Sequence, residues 1–288
     1  MNRTSSSPRL LGIVNITTDS FSDGGQFLSA PEIESHILSL CATGCPILDL
    51  GAASSNPQAN PVEANVEIQR LDLTLGIIRK LKAEGRISKS IEVSVDSFNP
   101  EVQKHVLREG IDYLNDITGF AHPAMYDLLA ESDCKMIVMH SLQKGIANEM
   151  HVSPDSILDR IRSFFEERLR ELEAAGISPS NLILDPGMGF FLGSDAECSY
   201  RVLRNLQTLR KDFALPLLVS VSRKSFLGAI TGKPPRDRFA ATLACELYLA
   251  EQKVEYIRTH DPAPLYDALA IQNAIHGGHL NTDATNQS

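Results

Sequence analysis

The sequence predicts an α/β fold, a (β/α)8 (TIM) barrel, and three observations carry that expectation. Short β-type runs alternate with helical patterns from one end of the chain to the other. Several of those runs are continuously apolar, as strands covered on both faces are. The helical stretches repeatedly stop at glycine and give way within a few residues to the next strand, the signature of repeated βα units. Eight strands can be placed, as a closed barrel requires. The competing architecture is an open doubly wound sheet. It is disfavoured by the strand count and by the lack of a Gly-x-Gly-x-x-Gly turn after the first strand.

In order, strands are expected at residues 10–16, 46–50, 91–96, 113–115, 135–139, 182–185, 217–221 and 256–259. A helix over 31–43 opens on Pro31 and stops at Gly44. Helices over 63–84 and 100–109 stop at Gly85 and Gly110. The helix over 153–175 has Ser153 as N-cap, Pro154 in the first helical position and Gly176 as its stop. Further helices fit 123–132, 197–212, 237–251 and 262–276. No linker interrupts the series, so residues 8–276 are expected to form one domain, with flexible termini at 1–7 and 277–288.

Composition narrows the function. The 288 residues are 43% hydrophobic, enough for a full-sized core. There are 27 basic and 36 acidic side chains, a net charge of −9, with no Lys/Arg cluster. That balance argues against nucleic acid as the main partner, while leaving room for a local cationic pocket. Five cysteines at irregular spacings point to a reducing compartment rather than a disulfide framework. The first apolar run is broken by Gly12 and Asn15 and is too short for a signal core or a membrane span. A cytoplasmic protein with no membrane partner is expected.

In a barrel of this type the site forms at the C-terminal ends of the strands. The unusual polar residues gather there: Asn15, Asp96, Asn115 with Asp116, His140, Asp185, the run Ser222, Arg223, Lys224 and Ser225, and finally Arg258 and His260. One such residue is readily a helix cap; carboxylates and amides at four strand ends, with cations after two more, are not. Lys224, Arg258 and His260 fall where barrels hold phosphate. Asn15 is a neutral oxygen donor suited to a Mg2+ that also touches phosphate oxygens. Asp96, Asn115 and Asp185 suit the edge of a flat nitrogen heterocycle, because buried carboxylates need donor partners. A polyphosphorylated heterocyclic substrate is therefore expected. Asp185 before Pro186-Gly187 is equally well a turn former. His140 is read as structural, and His36, His105, His122 and His151 as surface residues. Arg223 is either a structural ion pair or a phosphate clamp. Residues 228–233 lack the spacing and hydroxyl of a phosphate-binding loop.

These residues stand inside longer motifs. Gly-Ile-Val-Asn-Ile-Thr-Thr-Asp-Ser-Phe-Ser-Asp-Gly-Gly (12–25) resembles the opening signature of the dihydropteroate synthases. So do Asp-Leu-Gly (49–51), Ser-Val-Asp-Ser (94–97), Leu-Asn-Asp-Ile (114–117), Val-Met-His (138–140), Leu-Asp-Pro-Gly-Met-Gly-Phe (184–190), Ser-Arg-Lys-Ser (222–225) and Arg-Thr-His (258–260). The resemblance implies a (β/α)8 barrel that condenses 4-aminobenzoate with 6-hydroxymethyl-7,8-dihydropterin diphosphate. It implies that Asp96, Asn115, Asp185 and Lys224 bind the pterin, with Ile117, Met139 and Phe190 as its apolar wall. It further implies that Asn15 with Mg2+, Arg258 and His260 hold the diphosphate, that Ser225 lies near the aminobenzoate carboxylate, and that the protein is a homodimer. Asp96, Asp185, Lys224, Arg258 and His260 are the catalytic candidates. A pterin-binding methyltransferase would have no use for the 222–225 and 258–260 motifs, and a non-catalytic pterin-binding homologue would have no use for the diphosphate set.

The chain departs from the family around the aminobenzoate. The loop after the second strand usually has Gly-Gly-Glu-Ser-Thr-Arg-Pro; here it is Gly-Ala-Ala-Ser-Ser-Asn-Pro (51–57). The usual Gly-Phe-Gly-Lys after strand six is here Gly-Phe-Phe-Leu-Gly (189–193), two residues longer and without the lysine. Ser220 replaces a usual glycine, and Thr17-Thr18 a usual Thr-Pro. These changes are similar to those of the sulfonamide-insensitive synthases carried on mobile resistance elements. They make Ser54, Ser55, Asn56, Phe191 and Leu192 the candidates for discrimination between substrate and drug, with neutral drift in a sensitive enzyme as the alternative.

Overall fold

The computed structural model describes residues 7–16, 29–53, 62–142 and 152–277. Eight parallel strands form one sheet: β1 (Arg9–Asn15), β2 (Ile47–Gly51), β3 (Glu92–Asp96), β4 (Tyr113–Asp116), β5 (Lys135–Met139), β6 (Leu182–Asp185), β7 (Leu218–Val219) and β8 (Tyr256–Thr259). Their order is β6-β5-β4-β3-β2-β1-β8-β7. The two ends of that series meet, because Leu184 forms a parallel bridge with Leu217 and its N–H donates to the Pro216 carbonyl at 2.9 Å. The expected barrel is therefore present.

The helices around it are α1 (Ala30–Ala42), α2 (Ala64–Ala83), α3 (Pro100–Arg108), α4 (Tyr126–Ala130), α5 (Ile157–Ala174), α6 (Ala196–Arg204), α7 (Leu206–Phe213), α8 (Ser225–Thr231), α9 (Phe239–Glu251) and α10 (Ala263–Ile275). The single helix expected over 197–212 is broken at Asn205, whose Nδ2 donates back to the Arg201 carbonyl at 2.8 Å and competes with the helical ladder. The helices expected at 123–132 and 153–175 each start with a 3-10 turn, Pro123–Met125 and Pro154–Ser156. The short helix α8 was not expected from the sequence. Among the described residues no helix is long and apolar enough to cross a membrane.

Strand alternation sorts the side chains into two cores. Leu10, Val14, Leu48, Leu50, Val95 and Leu114 point outward into the main cluster beneath the helices. The alternate set, Leu11, Ile47, Tyr113, Ile137, Ile183, Leu218 and Tyr256, packs inside the barrel as one apolar layer. Below that layer, at the strand N-termini, Arg9 pairs with Glu92 and donates to the Tyr113 hydroxyl at 2.7 Å. Above it the inward positions turn polar: Asp49, Ser94, Asp96, Asn115, Asp185 and Arg258. The apolar layer is thus the floor on which the polar cup stands.

That layer is testable. Ile137 is fully buried. Ile137→Ala should cost about 2–5 kcal/mol in urea unfolding and Ile137→Val only about 0.5–1.5 kcal/mol. Equal, small losses for both would contradict a close-packed layer.

Candidate active site

The strand register lifts four residues to one level. Asn15 pairs with Gly51, Gly51 with Asp96, and Asp96 with Asn115. Across the mouth Met139 pairs with Asp185. Arg258 starts lower, opposite Leu11, and its long side chain rises through the interior. Its Nε donates to Asp49 Oδ2 at 2.6 Å and its Nη2 to Asp96 Oδ2 at 2.8 Å. Asp49 is fully buried, and its other oxygen accepts the Ser94 hydroxyl at 2.6 Å. Both Asp49 oxygens are thus committed to protein, so this carboxylate aims Arg258. Asp49, part of the 49–51 motif, carries no expected role in the sequence. Its inward alternation with Ile47 and Gly51 was the signal that could have found it.

Asp185 serves the turn and the cup together. Its Oδ1 accepts the Gly187 N–H at 2.8 Å, which makes it the turn former the sequence allowed. A side chain at Gly187 would collide with the His140 carbonyl oxygen, and its φ of +74° suits only glycine readily. Burial raises the Asp185 carboxyl to about 6, opposed by the Gly187 N–H and by Lys224 and Arg258. Burial likewise raises Asp96, against the pull of Arg258. Lys224 is lowered to about 8 by burial and by Arg258, with Asp185 and Asp96 pulling it back. At neutral pH all three are charged and near enough to feel one another. Asn115 is buried, and its Oδ1 has no partner. A buried amide oxygen without a donor is costly, and it marks a place where a ligand N–H belongs.

The apolar wall differs from expectation at one residue. Ile117 and Met139 form a buried cluster with Phe191, and Phe98 packs against it. Phe190, expected in that wall, is 48% exposed. Residues Gly189–Leu192 form a 3-10 turn, in which neighbouring side chains diverge by about a third of a circle. The turn sends Phe191 inward and Phe190 outward. The Lys224 ammonium lies 4.9 Å from the Phe191 ring centroid, a cation–π contact. Leu192 is fully buried below. The same turn abuts Ser225, since a side chain at Gly189 would meet the Ser225 hydroxyl. Ser54, Ser55 and Asn56 lie outside the described residues.

The β7 and β8 ends complete the rim. Ser222 Oγ lies 2.9 Å from His260 Nδ1 and accepts the His260 backbone N–H at 3.3 Å. Burial, reinforced by Arg223, Arg258 and Lys224, lowers His260 to about 3. His260, expected to join the cationic rim, is therefore neutral at pH 7. Arg223 is exposed with φ +59°; its N–H donates to Thr242 Oγ1 and its carbonyl accepts from Arg238. Among the described residues no carboxylate pairs with its side chain. A cavity of about 120 Å³ opens here, lined by Ser222, Arg223, Arg236, Glu246 and His260. A larger cleft of about 590 Å³ opens at the strand N-termini, beside Glu92, Tyr113 and Lys135. Its mixed charges include no buried unpartnered atom, and it lies at the wrong end of the barrel for strand-end chemistry.

Two other strand-end residues, and one on α1, make structural contacts. Both Asp116 oxygens are taken, by Thr118 and by Gln103 Nε2. His140 is buried, its Nδ1–H donating to the Pro186 carbonyl at 3.1 Å and its ring set edge-on to Phe164. His36, expected at the surface, is half-buried with Nε2 3.0 Å from the Ile13 carbonyl. Among the described residues no three His, Cys, Asp or Glu side chains gather as a metal cage. Asn15 supplies a single neutral oxygen. That donor set fits a hard divalent cation that arrives with most of its oxygen ligands already in place.

The sequence profile of the pterin binding enzyme family matches residues 11–260. The chain is 48% identical over 266 residues to dihydropteroate synthase type-2 of Escherichia coli, covering 92% of this chain and 95% of that protein. It is 45% identical over 268 residues to the type-3 enzyme of the same organism, covering 93% and 99%. A crystal structure of Xanthomonas albilineans dihydropteroate synthase with 4-aminobenzoic acid superposes with a TM-score of 0.82 at 31% identity, covering 96% of this chain and 95% of that one.

The Arg258 clamp makes a prediction that needs no substrate. Asp49→Asn removes one anion from a buried ion pair and should cost about 3–5 kcal/mol in urea unfolding. A loss under about 1 kcal/mol, the scale of an exposed pair, would show that Asp49 is not what holds Arg258.

Proposed function

This chain belongs to the pterin binding enzyme family, and within it to the dihydropteroate synthases; from that premise we propose how the cup performs the reaction. Such an enzyme joins 4-aminobenzoate to 6-hydroxymethyl-7,8-dihydropterin diphosphate, giving 7,8-dihydropteroate and pyrophosphate in folate biosynthesis. The observation that carries the site assignment is the unpartnered Asn115 Oδ1 beside the register partner Asp96 and across from Asp185. These acceptors match the amino and ring N–H groups of a pterin edge. Lys224 closes the ring from above, and Ile117, Met139 and Phe191 supply the apolar wall, with Phe190 at its outer margin.

The reaction breaks the bond between the pterin methylene and the diphosphate oxygen, whose electron pair leaves with pyrophosphate. The aminobenzoate nitrogen forms the new bond to that carbon and releases its proton to solvent. Ionised Asp185 stabilises positive charge spreading from the methylene into the ring. Arg258 and neutral His260 hold the departing anion by hydrogen bonds, and Ser225 holds the aminobenzoate carboxylate. Asn15 would hold Mg2+ brought by the diphosphate, which supplies charge neutralisation of the leaving group. No side-chain nucleophile is needed. An absent secondary isotope effect at the methylene would count against this dissociative route.

Drug tolerance is the finer part of the proposal. Sulfonamides keep the aniline ring but replace a flat carboxylate by a bulkier tetrahedral sulfonyl group. The Phe191 turn packs against both Lys224 and Ser225, so it narrows the passage between pterin and aminobenzoate. Steric exclusion of the larger group there leaves the substrate unharmed. The exposed Ile230, Ile271 and Ile275 on α8 and α10 support a homodimer, and five free cysteines fit a cytoplasmic setting.

Pyrophosphate release should depend on added aminobenzoate and persist across a sulfonamide titration; release without aminobenzoate would overturn the assigned reaction. Deleting Phe191 with Leu192 should restore sulfonamide inhibition, and unchanged inhibitor affinity in that variant would refute the role of the turn. The cup must be ionised to grip the pterin edge, and Asp185 is raised to about 6. Hence kcat/KM for the pterin diphosphate should be full above that pH and fall as pH drops through it. A flat profile down to pH 5 would remove Asp185 from the binding step.

A further inference from the structure

We propose that Ser222 is a positioning residue that holds His260 in the neutral tautomer with its proton on Nε2, so that the ring meets the departing diphosphate as an uncharged donor. The proposal rests on the assignment of His260 to the diphosphate, and it adds to that assignment the residue that sets the state of the ring.

Ser222 is 5% exposed, so its hydroxyl hydrogen needs an acceptor inside the protein. One of its lone pairs takes the His260 backbone N–H at 3.3 Å. Among the described residues the acceptor within reach of its own hydrogen is His260 Nδ1, at 2.9 Å. If Nδ1 carried a proton it would donate to the second Oγ lone pair, and the hydroxyl hydrogen would be left buried and without an acceptor. The arrangement therefore assigns the lone pair to Nδ1 and the proton to Nε2. The same hydroxyl clips the ring to its own backbone and leaves it little freedom to turn over.

The surroundings agree with a neutral ring. Arg223, Lys224, Arg258 and His36 all face His260 and all disfavour a further positive charge. Arg236, Glu246 and Asp261 line the cavity it shares, and Glu246 is itself raised to about 7 by burial. The tautomer then decides the sign of the contact with the anion. A proton on Nε2 donates to a phosphate oxygen; the other tautomer would present a lone pair to it and repel it. A neutral donor also grips less tightly than an imidazolium, which suits a group that has to leave.

The test uses the full-length enzyme with 15N-labelled histidine. Ring spectra between pH 6 and 8 should show His260 as one neutral species protonated at Nε2. Ser222→Ala should bring in the second tautomer and weaken binding of magnesium pyrophosphate by about tenfold. Ser222→Thr, which keeps the hydroxyl, should restore both readouts. In a His260→Ala background, Ser222→Ala should cost nothing further in pyrophosphate affinity. Thermal unfolding checks that each variant is folded. A wild-type ring protonated at Nδ1 or doubly protonated overturns the proposal, and so does a Ser222→Ala spectrum identical to wild type. If His260→Ala leaves pyrophosphate affinity unchanged, the assignment of His260 to the anion fails instead, while the ring spectra still decide the tautomer.

Discussion

The site is organised around one guanidinium held between two carboxylates. Arg258 rises from the apolar layer and is pinned by Asp49 on one side and Asp96 on the other. Without that cation the mouth of the barrel would gather Asp49, Asp96 and Asp185 in a low-dielectric space, and their repulsion would favour protonation or local opening. With it, and with Lys224, three carboxylates face two cations. One negative charge remains, along with the orphan oxygen of Asn115. N–H donors on an entering ligand would answer both that charge and the unpartnered oxygen. Binding and fold are thus linked: the ion pairs of Arg258 with Asp49 and Asp96 that hold these strands' acids together also set the polarity of the cup.

Much of this was legible in the sequence, for a physical reason. Strand alternation places every second residue inside the barrel, and the last inward position of each strand is where a ligand is met. A polar residue at such a position, as at Asn15, Asp96, Asn115 and Asp185, therefore stands out against the apolar runs. Contacts that join distant strands were not legible. Asp49 looks like an isolated mid-strand acid until Arg258, more than two hundred residues later, is brought against it. The charge of His260 depends on burial among Arg223, Lys224 and Arg258, which one-dimensional spacing does not show. The choice between Phe190 and Phe191 depended on a single 3-10 turn, where a shift of one residue exchanges inside for outside. The break at Asn205 came from one side chain competing with the helix for a carbonyl.

The cup and its surroundings also differ in how they are built. Asp96, Asn115, Asp185 and Arg258 stand on strands that are hydrogen-bonded to their neighbours around the ring. Phe191 and Ser225 stand on a turn and on the start of a short helix. Changes in connecting segments leave the strand register untouched, so the turn side of the mouth can vary while the polar cup is kept. The departure at Phe191 falls on the turn side of that divide.

The ring is not equally strong all the way round. Between β6 and β7 it is fastened by one bridge, at Leu184 and Leu217, and β7 is two residues long. Asp185 stands on one lip of this seam and Lys224 just past the other. A molecule gripped by both acts as a clasp across the weakest join of the hoop. Amides flanking the seam, such as that of Leu184, are then the natural gauge of occupancy: their exchange with solvent slows as the clasp is fastened, while the broad arc from β1 through β5 scarcely notices.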